Sequence, residues 1–372
     1  MAGDHQAGAE VVAASGIGVT QTGAVAEILL DRPGALNALT TDMRAVLAAS
    51  YPEFARDPQV YAVTLRSSSP RAFCAGGDIR EVTRWGREKP QEARRSLYEE
   101  YSLNWLHECF SKPTVSLIDG LVVGSGVGIS LYGTHRVAGA GYSFARPETA
   151  IGLFPDDGLA WTFARMPDAI GVYLGLTGRR IGRADAYELG LVTHCIEAAR
   201  FEAIRAALAS AETVDPLLDG LHEDPGAGEL AGHRGLIGDC FSAPSVEEII
   251  ARLGAVSGAG RGWAHAARAE LLTRSPLSLA VTLRHIREAT ARDLQQTLTL
   301  DYRLACRFLE GEDFYEGVRA LLIDKDGAPR WRPDSLAGVT PGMVERCFGP
   351  ILPQDGGELV LATRQEMQAA RV

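Results

Sequence analysis

Two carboxylates, Glu148 and Asp156, stand eight positions apart in the stretch Phe144–Gly158, FARPETAIGLFPDDG. Phe144, Ile151, Leu153 and Phe154 surround them, and Pro147, Gly152 and Pro155 argue against one regular helix. The segment reads as a bent, largely apolar loop that brings two acids to one place. An acid in apolar surroundings resists ionising, so its pKa rises towards the range useful for proton transfer. A helix cap or a surface salt bridge is the plainer use of either acid, and on these residues alone the two readings are evenly matched.

The glycine-rich stretch upstream tips that balance. Gly124-Ser125-Gly126-Val127-Gly128 is not a phosphate-cradling loop, because no Gly-Lys-Ser/Thr follows. The dinucleotide fingerprint fails at Ile129, where its third glycine would fall. A nucleophile elbow centred on Ser125 needs glycines where the chain has Val123 and Val127. What remains is a glycine loop opening a helix, whose free N–H groups bind an oxyanion. A second glycine pair, Gly76-Gly77, can supply another donor, although a tight turn is the commoner use of a lone Gly-Gly. Two backbone donors facing one carbonyl oxygen, with a carboxylate nearby, suit acyl-group chemistry. The eight histidines show neither HExxH nor HxxxH spacing, so no metal site is read. His107 and His135 fall in the same half of the chain but read as core or solvated residues, and no Ser/His/Asp triad has support.

The elements that must position these residues follow a repeated order. Val25–Leu30 and Val60–Arg66 read as strands, with a helix from about Thr40 between them. SSSPRAFCAGGDI then makes a turn and a loop, residues 84–96 a charged, mobile surface segment, and Leu97–Phe110 an amphipathic helix. Thr114–Ile118 is a third strand, followed by the glycine loop, a helix over Ile129–Tyr132, a short strand over Arg136–Ala138 and the two-acid loop. Strand, glycine loop and helix thus occur twice, which predicts an α/β architecture with loops converging on one site. From about Glu197 periodic apolar and charged segments dominate, broken by the Gly/Pro/acid-rich connector Val214–Gly238, so the second part is mainly helical. The division expected is a core over 17–213, a helical region over 214–348, and flexible tails at 1–16 and 349–372.

Composition narrows the function classes. A chain of 372 residues, 46% hydrophobic and 23% charged, has length and apolar content for a sizeable core. A net charge of −10 without a long basic run speaks against nucleic acid as a partner, and no apolar run approaches a membrane span. The first residues show no signal peptide, and Arg32 as the first arginine argues against a mitochondrial transit peptide. Six scattered cysteines without CxxC pairs read as reduced thiols of a cytoplasmic protein.

Taken together, DRPGALNAL, AFCAGGDI, GLVVGSGVGIS and PETAIGLFPD resemble the crotonase (enoyl-CoA hydratase/isomerase) superfamily. Within it, EEYSLN at 99–104, CFSAPSVEEII at 240–250, SPLSLAVTLR at 275–284 and LEGEDFYEGVRALLIDKDGAPRWRP at 309–333 resemble the 3-hydroxyisobutyryl-CoA hydrolase branch. The likeness covers roughly residues 20–348. It implies a crotonase-like ββα spiral core and an acyl-CoA substrate of valine breakdown, with CoA arriving as part of the substrate and no separate cofactor. It also implies an oxyanion hole at the N–H groups of Gly77 and Ser125, with Glu148 and Asp156 as the catalytic acids. Substrate contacts would come from Glu100, Gly124, the segment Ala75–Ile79 with Asp78 and Ile79, and a basic residue near the C-terminal helix, with Lys325 the candidate. Glu148 would serve as nucleophile or as base, and Asp156 would bind a substrate hydroxyl or shuttle a proton. Two departures stand out. The family usually has a glycine where this chain has Ser125, and Val-Gly-Gly where it has Asp157-Gly158-Leu159. Hydratases carry a second glutamate at the position of Gly128, which favours hydrolysis over the alternative of a hydratase or isomerase; a non-catalytic interaction subunit is the remaining alternative. The sequence leaves the oligomeric state open, a homo-oligomer included.

Overall fold

The computed structural model describes residues 16–372, so the expected tail at the N-terminus lies, but for Gly16, outside the described residues. Among the described residues ten strands form two sheets. Ile17–Thr22 (β1), Val25–Leu30 (β2), Ala62–Ser67 (β3), Thr114–Ile118 (β5), His135–Ala138 (β7) and His194–Cys195 (β10) make the larger sheet, in that spatial order. Ala72–Cys74 (β4), Leu121–Val123 (β6), Ser143–Ala145 (β8) and Ile181–Gly182 (β9) make the smaller one. β1 runs antiparallel to β2 and β9 to β8, and every other pairing is parallel. The central strands read as unbroken apolar-rich runs because both of their faces are covered: β5, TVSLI, is buried at all five positions.

The chain therefore repeats a unit: one strand in the large sheet, a short strand in the small sheet, a loop, a helix. β3 and β4 lead to Gly76-Gly77 and the helix Ile79–Glu88 (α2); β5 and β6 lead to Gly124 and the helix Ser125–Leu131 (α4); β7 and β8 lead to the two-acid loop. Since β4, β6 and β8 are neighbours in the small sheet, their three following loops emerge side by side. That adjacency is what positions the site. Thr41–Arg56 (α1), capped by the Thr40 hydroxyl accepting from the Met43 N–H, and Pro90–Cys109 (α3) close the space beside these loops.

The expected strands and helices are present, with shifts of a few residues at their ends. Two expectations differ. Residues 84–96, read as a mobile surface segment from their charge, belong to α2 and to the first turns of α3. Ala93 and Ser96 on α3 are buried, so one face of a charged stretch packs while the other is solvated. Residues 349–372, read as a flexible tail, lie against α3 and the helix Leu294–Glu310. Ile351 and Leu359 are buried, the Trp105 indole donates to the carbonyl of Ala362 at 2.7 Å, and the Tyr98 hydroxyl donates to that of Val360 at 3.0 Å. The signal there was weak because single apolar residues anchor the segment without periodicity. The helices after Val214 share one continuous core with the sheets, running from Ile17 to Leu359. Among the described residues no helix is long and apolar enough to cross a membrane.

The two-acid loop is tied into this core by Phe154, which is fully buried against the rings of Phe308 at 5.5 Å and His285 at 5.8 Å. Phe154→Ala is expected to lower stability by about 3–5 kcal/mol through the cavity it opens, measured as the shift of the urea-unfolding midpoint at constant m-value.

Candidate active site

The three loops enclose a largely apolar cavity of about 320 Å³. Its polar wall is made by Gly77, Ser125, Glu100, Glu148 and Asp156, and its far side by Ile151, Leu309, Phe314, Leu321 and Leu322. The C-terminal helices thus close a site whose chemistry comes from the first half of the chain.

The glycines are demanded by how closely two loops approach. Gly76 has φ +97° and Gly124 φ +51°, both in the left-handed region. A Cβ on Gly76 would sit 3.3 Å from the Cα of Gly124, and one on Gly124 would sit 3.0 Å from the Cα of Gly76. Backbone thus meets backbone, and both Gly77 and Ser125 line the cavity beside this contact. Ser125 is the first residue of α4, so its N–H has no intrahelical acceptor. Around Gly77 the chain pairs through its neighbours instead: Leu39 N donates to Gly76 O, and Asp78 N to Leu39 O. The Ser125 hydroxyl donates to Oε1 of Glu100 on α3. The Oε2 of Glu100 lies 3.7 Å from Nη1 of Arg44 on α1.

Arg146, at the end of β8, is the residue that the sequence reading missed. It is wholly buried and holds three acids with three different nitrogens. Nε lies 3.1 Å from Glu148 Oε1, Nη2 lies 2.5 Å from Asp156 Oδ1, and Nη1 lies 3.0 Å from Asp157 Oδ2. The plain salt-bridge reading of Glu148 and Asp156 is thus realised, but inside the protein and against the cavity. The available signal was arithmetic: Arg146 is the sole cation between Arg136 and Arg165, with three acids in the same stretch. Tyr101 on α3, also missed, donates to Asp156 Oδ2 at 2.8 Å.

Burial dominates the electrostatics. It pushes Glu148 up to about 7 against the pull of Arg146. It raises Asp156 well above the usual carboxylate range, with Asp157 adding to the effect, and raises Glu100 against the pull of Arg44. Glu148 lines the cavity, and its Oε2 is buried with no hydrogen-bond partner among the described residues. Among the described residues no cluster of His, Cys, Asp and Glu is arranged to hold a metal ion.

Of the residues implied by the family resemblance, Ala75, Gly77, Ile79, Glu100, Gly124, Ser125, Glu148 and Asp156 meet at this one cavity. Asp78 does not line it: as N-cap of α2 it pairs with Arg32 at 3.0 Å. Lys325 is not in the wall either; it is exposed, three residues past Leu322. At Gly128 there is no room for a second acid. A Cβ there would lie 2.8 Å from Oδ1 of both Asn104 and Asp157.

This geometry matches a known class. The chain belongs to the enoyl-CoA hydratase/isomerase family, whose model matches residues 25–348. The 3-hydroxyisobutyryl-CoA hydrolase of Xenopus tropicalis, named as mitochondrial, is 40% identical over 340 residues, 89% of this chain and 88% of its own length. The 3-hydroxyisobutyryl-CoA hydrolase 1 of Arabidopsis thaliana is 37% identical over 372 residues, 97% of this chain and 98% of its own. A crystal structure described as a carnitinyl-CoA dehydratase from Mycobacterium thermoresistibile superposes with a TM-score of 0.87 at 35% identity, over 93% of this chain and 98% of that one. One described as an enoyl-CoA hydratase from Rhodobacter sphaeroides 2.4.1 gives the same score and identity over 93% and 100%.

The acid loop is held from behind by a buried pair. Asp301 accepts from the Gly158 N–H and from His285 Nε2, both at 2.6 Å. Asp301→Ala is expected to cost roughly 1–3 kcal/mol for each partner left unpaired. Calorimetric unfolding of Asp301→Ala and Asp301→Asn side by side checks this, the asparagine keeping an acceptor for one of the two bonds.

Proposed function

We propose that this chain hydrolyses the thioester of 3-hydroxyisobutyryl-CoA, or of a closely related short hydroxyacyl-CoA, to the free acid and CoA. The observation that carries the reading is that Gly77, Ser125 and Glu148 line one apolar cavity, Glu148 with an oxygen that has no partner among the described residues. The names of the similar relatives support it, and so does the crowding at Gly128, the position of a second glutamate in hydratases.

In this reading the thioester oxygen lies between the N–H groups of Gly77 and Ser125, and charge developing on it is met by donors already in place. Loss of one such donor costs on the order of 3 kcal/mol of barrier. Glu148 works through Oε2, attacking the carbonyl carbon or taking a proton from the water that attacks it. Either route adds one water: its hydroxyl ends on the acyl carbon, the C–S bond breaks, and its proton ends on the CoA sulfur. Asp156, kept above the ordinary carboxylate range by burial, is suited to carry that proton or to hold the substrate's hydroxyl. Glu100, tied by Ser125 and Arg44, lines the acyl end. The reaction balances with water alone, so no metal or further cofactor is invoked.

Ile79 and Val82 of α2 line the cavity wall, and Arg80, Arg84 and Arg87 lie on the same helix. Cations there suit a ligand bearing phosphates, as CoA does. All six cysteines are unpaired and buried thiols, which supports a reducing compartment, the cytoplasm on the sequence reading.

Thiol release from 3-hydroxyisobutyryl-CoA, 3-hydroxypropionyl-CoA and crotonyl-CoA tests the reading. CoA release from the first ester, reduced by about 100- to 10,000-fold in Glu148→Gln, is the expected result. Loss of the enoyl absorbance of crotonyl-CoA without thiol release would instead favour the enoyl-CoA hydratase activity named for the superposable Rhodobacter sphaeroides structure. Glu148 works as a carboxylate on either route and loses that form below its pKa of about 7. Activity is therefore expected to rise about tenfold per pH unit up to neutrality and to level off above it, as read from kcat/KM against pH.

A further inference from the structure

One acid in the loop has no part in the reaction just described. Asp157 is fully buried behind Asp156 and is not in the cavity wall. Its backbone takes φ +57°, in the left-handed region that aspartate adopts more readily than most non-glycine residues. A niche is built around its carboxylate. Oδ1 accepts from Asn104 Nδ2 on α3 at 2.8 Å, Oδ2 accepts from Arg146 Nη1 at 3.0 Å, and Gly128 on α4 leaves the space that Oδ1 fills.

The guanidinium explains the niche. Arg146 also grips Glu148 and Asp156, the two acids that must gain or lose protons for the chemistry. A wholly buried cation touching only those two would bind them in their ionised forms and hold them there. A third carboxylate on Nη1 offsets that pull. Two arginines, Arg44 and Arg146, face four acids, Glu100, Glu148, Asp156 and Asp157, so the cluster holds two acids more than cations. Without Asp157 the excess would be one.

We propose that Asp157 is a positioning residue for the thioester chemistry. It occupies Nη1 of Arg146 and cancels that cation's charge, so the guanidinium fixes where Glu148 and Asp156 stand without fixing them as bare carboxylates. The kinetic side of this proposal rests on the hydrolase reading; the charge relation itself does not.

Other groups face the cluster, and none can replace Asp157. Glu100 is committed to Ser125 and Arg44. Tyr101, Tyr132 and Cys74 are pushed upward by burial, Cys74 to about 12, so they stay neutral at working pH. Asp301 is paired with His285 at 2.6 Å.

The test compares wild type, Asp157→Asn and the double variant Arg146→Met/Asp157→Asn. Glutamate labelled with carbon-13 at its side-chain carboxyl reports the titration of Glu148, assigned through Glu148→Gln, and kcat/KM for 3-hydroxyisobutyryl-CoA is followed against pH. In Asp157→Asn both the Glu148 titration and the acidic limb are expected to move down by about one pH unit or more, and the double variant to return both towards wild type. An unchanged or upward-moving titration in Asp157→Asn overturns the proposal. So does a double variant that keeps the single variant's shift, since the residue would then act through shape alone. If Asp157→Asn does not fold, recovery of the fold by removing Arg146 as well supports the charge relation, and failure to recover it overturns it. Should wild type release no CoA from any ester, the hydrolase reading falls while the carboxyl titration still decides the role of Asp157.

Discussion

One guanidinium, taken wholly out of water, organises the acids of this protein. Burying a charge costs several kcal/mol unless it is met by opposite charge and hydrogen bonds. Arg146 is met by three carboxylates and the carbonyl of Gly124. The interaction therefore does two things at once. It pins the two-acid loop after β8 to the glycine loop after β6, and it fixes where Glu148 and Asp156 present their oxygens. The remaining buried polar groups answer to this arrangement: Tyr101 and Asn104 reach it from α3, and Asp301 holds Gly158 from behind.

The sheets make that cluster possible by a simple topological device. Three short strands lie side by side, and each is followed by a loop that the next cannot avoid. Two of those loops approach so closely that only glycine fits at Gly76 and Gly124, and the third supplies the acids. Backbone donors and carboxylates thereby share one cavity, although they are separated by up to about eighty residues along the chain. The helices after Val214 add no acid to its wall. Their contribution is apolar, with Leu309 and Phe314 closing a space in which charges are poorly solvated and proton affinities rise.

The relation between Arg146 and its acids also reconciles two demands that conflict in simpler sites. Geometry wants a strong ion pair, because ion pairs hold carboxylates still. Proton transfer wants a carboxylate that is not strongly stabilised in its ionised form. Sharing one cation among three acids meets both, because each acid is held in a close ion contact but receives only part of one charge. Burial then sets the balance, lifting Glu148 to about 7 despite direct contact with arginine.

Much of this was legible in the sequence, and the limits have physical causes. The parallel strands, the caps and the two glycine loops are local features, written in residue types and short spacings, so β2, β3, β5 and α1 fall where the pattern puts them. The family resemblance pointed to Gly77, Glu100, Ser125, Glu148 and Asp156, and these do meet at one cavity. Burial of charged residues was not legible, because charge in a sequence reads as solvent exposure. Arg146 therefore passed unnoticed, and residues 84–96 read as a mobile surface segment although they form α2 and the start of α3. Asp157, noted only as a departure from the family pattern, acquired its partners when α3 and α4 came together around it. Asp78 and Lys325, carried over by motif position, lie outside the wall because motif membership does not specify direction. Sequence alone determined the elements and the kinds of groups available; tertiary structure decided which charges lose their water, and with it which acids can change their protonation.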